Sequence, residues 1–111
     1  MQYMLLVYDD PSQWTVSEEE MPGIYEEYAA VARDGATKHS AQLHGTETAK
    51  TVRVRSGETL VTDGPFAETK ERLGGYYLVE ADSIEDAAKL AAQIPSARLG
   101  GSVEVRQIVE M

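Results

Sequence analysis

The sequence predicts a single α+β domain: one antiparallel sheet, two helices on one of its faces, and a hairpin set into the middle of the chain. Three observations predict it. Apolar runs suited to strands recur along the 111 residues, from the first few positions to the last ten. Two stretches with helical spacing, one in each half, separate those runs. A tight-turn dipeptide, Ser56-Gly57, joins two short segments in the middle.

Residues 1–8 read as a buried strand stopped by Asp9-Asp10-Pro11. Ser17-Glu18-Glu19-Glu20 has capping-box spacing, but Pro22 would break a helix that ran through it. The spacing therefore predicts a short initial turn and a main helix that starts at Pro22. Ile24, Tyr28 and Val31 share its inner face, flanked by Tyr25 and Ala32, and Gly35 is the expected stop.

A weaker strand signal covers residues 36–43 and ends near His44-Gly45. Thr51 to Arg55 alternates cleanly, and Glu58 to Val61 returns after the two-residue turn. Another strand is expected over 75–81. Ser83-Ile84-Glu85-Asp86 opens a second helix, with Ile84, Ala88 and Ala91 on one stripe, Leu90 and Ile94 beside it, and Pro95 as its end. The last strand runs over 103–109, after the turn at Gly100-Gly101.

Strand, helix, strand, hairpin, strand, helix, strand is the split β-α-β order of a ferredoxin-like fold with an inserted β-hairpin. Both helices then cover one face, and the other face must meet water or a partner. The first strand, Tyr3 to Tyr8, is apolar on both sides. A homodimer that packs the helix-free sheet faces together, in dimeric α/β-barrel-type fashion, is the expected cover.

Composition narrows the function classes. A chain of this length makes one domain and buries roughly two-thirds of its unfolded surface. Nineteen acidic residues against ten basic ones leave a formal charge of -9, which repels phosphate backbones and anionic membranes, so no direct nucleic-acid partner is expected. Arg53 and Arg55 read as a solvated strand face. The chain has no cysteine, which excludes disulfides and thiolate chemistry. The apolar start is too short to span a membrane and lacks a basic leader, so a cytoplasmic protein with no membrane partner is expected. No nucleotide-binding loop, hydrolase elbow or zinc motif occurs, and neither a cofactor nor a metal is expected.

The densest stretch is Thr62-Asp63-Gly64-Pro65-Phe66-Ala67-Glu68-Thr69-Lys70-Glu71. Asp63 reads in two ways: as a general base or an orienting carboxylate on a rigid platform, or as a turn residue bonded to nearby amides. His39 and His44 are the only neutral-pH proton carriers, and their odd separation sends them to opposite faces of a continuous strand. His44, at a strand end, is the better catalytic candidate; His39 reads as surface. Glu68, Lys70 and Arg72 are candidate ligand contacts or a surface ion network. Phe66 is a candidate apolar anchor, and Trp14 a candidate pocket wall or core residue.

The string Asp63-Gly64-Pro65-Phe66, followed by Ala67-Glu68-Thr69-Lys70-Glu71, resembles the signature of the DGPF branch of the YCII-related family. The likeness extends to Tyr3 to Tyr8, Thr51 to Arg55, Leu73-Gly74-Gly75-Tyr76-Tyr77 and Gly100 to Arg106. It implies a small ferredoxin-like domain that pairs as a dimer, with some relatives associated with sigma factors. In the wider family a histidine and an aspartate suggest an enzymatic role. Asp63 matches that aspartate, whereas His44 does not map onto the family histidine, and residues 17–34 hold no histidine. Two functions are expected to compete: a small-molecule-binding domain with acid–base chemistry at Asp63 and His44, and a noncatalytic regulatory or interaction module working with a sigma factor.

Overall fold

The computed structural model describes residues 1–65 and 69–111. The elements run β1 (Gln2–Asp9), α1 (Met21–Arg33), β2 (Thr37–Gln42), β3 (Lys50–Arg55), β4 (Glu58–Asp63), β5 (Arg72–Glu80), α2 (Ile84–Ala91) and β6 (Ser102–Gln107), with short 3-10 turns at Pro11–Gln13, Thr46–Thr48 and Pro95–Ala97. β2, β5, β1 and β6 form one antiparallel sheet in that order, while β3 and β4 pair only with each other. The fold is the expected α+β arrangement with an inserted hairpin.

Alternation in β1 decides where the core lies. Tyr3, Leu5 and Val7 are at most 4% exposed, and they meet Val79, Tyr77 and Gly75 of β5 on one side. Val31 of α1 and Ala87, Leu90 and Ala91 of α2 close over the same face, joined by Ile94. Each fully buried Leu or Ile of this set contributes roughly 1.5–3 kcal/mol.

α1 begins as its sequence requires. Glu20 donates its N–H to the Ser17 carbonyl at 3.1 Å in a separate turn, and the helix restarts at Met21 with Pro22 in its first turn. It stops at Arg33, with Asp34 as its cap just before the expected Gly35. Gly35 holds no left-handed backbone; instead Asp34 folds the chain back, accepting the Ala36 N–H at 2.9 Å. Tyr25 is 60% exposed, and Ala32 also faces water rather than the core.

The inner stripe of α2 is Ala87, Leu90, Ala91 and then Ile94, not one that starts at Ile84, which is 46% exposed. The Ser83 hydroxyl accepts the Asp86 N–H at 3.2 Å and caps the first turn, where Ile84 is the first helical residue. β6 stops at Gln107, and Val109 is solvated. Gly74 and Gly75 both lie within β5, which begins at Arg72 rather than at Gly75. A Cβ on Gly75 would sit 2.8 Å from the Ala41 carbonyl oxygen, so glycine allows β2 to approach β5 there.

Among the described residues, no helix covers the far face of the sheet. Met4 stands opposite Leu78 and Arg106, and Leu6 opposite Tyr76 and Glu104; the four large apolar side chains are only half-buried. The molecule is 18 Å thin, and its radius of gyration, 15.9 Å, exceeds the ~13 Å of a compact domain of about this length.

Candidate functional site

Ser56 and Gly57 both adopt positive φ, 52° and 76°, as the tightest hairpin turn demands. That turn fixes the register of β3 and β4 and sets Lys50 opposite Asp63 at the base of the hairpin. Asp63 is thus the last strand residue, 87% exposed, and its carboxylate is ion-paired with the Lys50 ammonium. Gly64 follows with φ 91°, a conformation that strains any residue with a side chain. It donates its N–H to the Ala49 carbonyl, and its own carbonyl accepts the Thr51 hydroxyl, both at 2.7 Å. The Asp-Gly pair therefore locks the chain as it leaves the hairpin.

The cationic candidates stand elsewhere, at one end of the sheet. Arg72 pairs across from Asp9, and Lys70 and Arg72 lie near Asp10. Hydrogen bonds from Ser12, from its hydroxyl at 2.6 Å and its N–H at 2.9 Å, hold the Asp10 carboxyl below its usual range, with the two cations adding to the effect. Glu71 accepts the Ser102 hydroxyl at 3.0 Å. Trp14 is half-buried just after the Pro11–Gln13 turn. Phe66 and Glu68 lie outside the described residues.

His44 lies exposed beyond the end of β2, and among the described residues no hydrogen bond joins it to Asp63. The histidine that gains a partner is His39. Its Nε2 is 2.9 Å from the Tyr76 hydroxyl, and the two rings lie 5.6 Å apart on the helix-free face. Sequence reasoning set His39 aside as surface. A register shift between Thr37 and His39 brings it beside Tyr76, and residue spacing does not reveal such a bulge.

A second polar network lies inside the helical layer. The Tyr28 and Ser96 hydroxyls are hydrogen-bonded, and Tyr77 donates its hydroxyl to the Tyr28 carbonyl at 3.0 Å. Burial pushes the Tyr77 phenol up to about 12, with Tyr28 nearby adding to it. The network ties the helices to each other, with Ser96 fully buried and Tyr28 half-buried.

Two open concavities of about 420 and 390 Å³ lie beside the tail after β6 and between the α1–β2 turn, the end of β5 and α2, and neither is lined by Asp63, His44, Lys70 or Arg72. The second has Val79, Ala87 and Leu90 in its floor and Asp34, Glu80, Asp82 and Asp86 around it. Among the described residues no three histidines or carboxylates stand close enough to hold a metal, and no helix is long and apolar enough to cross a membrane.

A family model of the YCII-related domain matches residues 1–111. The chain belongs to the YCII-related family. This YCII-related chain is also 40% identical over 114 residues to an uncharacterized protein of Rhizobium meliloti (strain 1021), covering 97% of the chain and 92% of that relative.

Proposed function

We propose that this YCII-related chain is a homodimeric domain that binds a small molecule in a cleft beside the segment starting at Asp63, closed by a second copy over the helix-free face. The observation that supports this reading is the uncovered sheet surface itself. Met4, Leu6, Tyr76 and Leu78 remain half-buried on a molecule only 18 Å thick, which leaves a contiguous apolar patch that monomers rarely expose. A second copy over the helix-free face would supply the missing wall of such a cleft.

In such a cleft the His39–Tyr76 pair offers one polar contact inside an apolar wall, which suits a ligand with an apolar body and a single hydrogen-bonding group. Asp63 serves as base or orienting carboxylate and His44 as proton carrier. Lys70 and Arg72 contact polar parts of the ligand, and Trp14 contributes an apolar wall.

The test combines sedimentation with a thermal-shift screen of metabolites, run on wild type and Asp63→Ala. The expected result is a dimer whose Tm rises with one compound class in the wild type alone, because a ligand at 100 times its Kd adds about 2.7 kcal/mol to the native state. A dimer that shifts with nothing supports the second reading, a noncatalytic module associated with a sigma-factor system. The acid-rimmed concavity at Asp34, Glu80, Asp82 and Asp86, in a chain of charge -9, favours a basic protein partner for that module.

A further inference from the structure

β3 and β4 form an arm without a second layer. A lone two-stranded hairpin is marginally stable in water and needs a further strand or a packed face. Val52, Val54 and Val61 line one side of this arm, each 58–60% exposed, and every residue of β4 is exposed. Val52 stands directly opposite Val61, with Val54 beside them, so the three make one patch.

The arm also departs from the charge of the chain. Lys50, Arg53 and Arg55 against Glu58 and Asp63 give it +1, which leaves -10 on the rest of a chain whose total is -9. An apolar surface on an acidic body complements it, and another copy of this protein offers one. The helix-free face combines Met4, Leu6, Tyr76 and Leu78 with Glu104, Arg106 and Glu80, the last ion-paired with the Met1 ammonium, so the acidity that complements the arm is that of the body as a whole.

We infer that the β3–β4 arm is an exchange arm: its valine side packs at the margin of the helix-free face of a second copy, and each chain thereby carries Asp63 and Lys50 to the mouth of a cleft built from both. This rests on the homodimer reading above. It assigns the hairpin a role that no single chain can fulfil, and it makes the site incomplete without the second copy.

The test is photo-cross-linking of the full chain with benzoylphenylalanine in place of Val61, mixed as isotopically light and heavy protein. Mixed-isotope cross-links from position 61 to β1 or β5 peptides are expected. If wild type sediments as a dimer while the cross-links are intrachain, or reach α1 or α2, the arm inference fails and the homodimer stands. If wild type sediments as a monomer at every concentration, both fail. Val52→Glu with Val61→Glu is expected to weaken the dimer roughly tenfold or more while leaving the circular dichroism of the monomer unchanged. An unchanged dimer constant overturns the inference.

Discussion

The hydroxyls of Tyr28 and Ser96 meet at 2.7 Å across 68 positions of sequence, and they tie α1 to the turn that follows α2. Ser96 is fully buried, so its hydroxyl has no water to fall back on. Tyr28→Phe should therefore destabilise the fold by about 1–3 kcal/mol, the cost of an unpaired buried polar group. Ser96→Ala should cost less, because Tyr28 is only half-buried. Urea denaturation of both singles and the double variant checks this; a double variant as unstable as the two singles summed would deny the coupling.

Tyr77 links stability to alkaline pH. Its phenol titrates near 10 in the unfolded chain and about 12 in the native one. The unfolded state thus loses its proton first, and the stability from the neutral phenol is complete below pH 10 and declines from 10 towards 12. Tyr77→Phe should flatten that part of the stability–pH curve. A phenolate absorbance titration of wild type against the variant should show one late-ionising tyrosine missing.

The Lys50–Asp63 pair is solvated on both sides, with 62% and 87% exposure. Asp63→Ala should change stability by no more than about 1 kcal/mol, and less at high salt. A functional loss in this variant is then not a folding defect. A fall in Tm far larger than that would instead assign Asp63 a role in folding.

Gly64 should resist substitution for a backbone reason alone, since no neighbour lies within 4 Å of a Cβ placed there. Gly64→Ala forces a side chain into φ 91° and should cost about 1–2 kcal/mol. Gly64→Asn should be milder. Equal Tm values for wild type and Gly64→Ala would show that the hairpin exit does not constrain the fold.

The fold was legible because its signals are local. The short apolar run up to Tyr8 marked a strand, Pro22 marked the first turn of α1, and Ser56-Gly57 marked the hairpin turn. The errors came where local signals tie. Ile84 is as apolar as Leu90, yet it stands at the first position of the helix and is 46% exposed, while Leu90 is buried. The strand expected from Gly75 begins at Arg72, because Leu73 and Arg72 pair with Tyr8 and Asp9 beyond a register shift. The candidate site was less legible. Asp63 was identifiable, but its partner Lys50 follows from hairpin register, and the His39–Tyr76 pair follows from a bulge across 37 positions of sequence. Long-range register is written in the packing of a whole sheet rather than in any short window.

The separateness of β3 and β4 from the main sheet also makes them a ruler. Each residue added to both strands would lengthen the hairpin by about 3.4 Å without moving a single partner in the four-stranded sheet. Side chains alternate sides at every step, so one added pair near the base turns the outer part of the hairpin over and two pairs restore it. Relatives of this chain can therefore change the reach of the hairpin while keeping its orientation only in increments of two pairs, roughly 7 Å at a time.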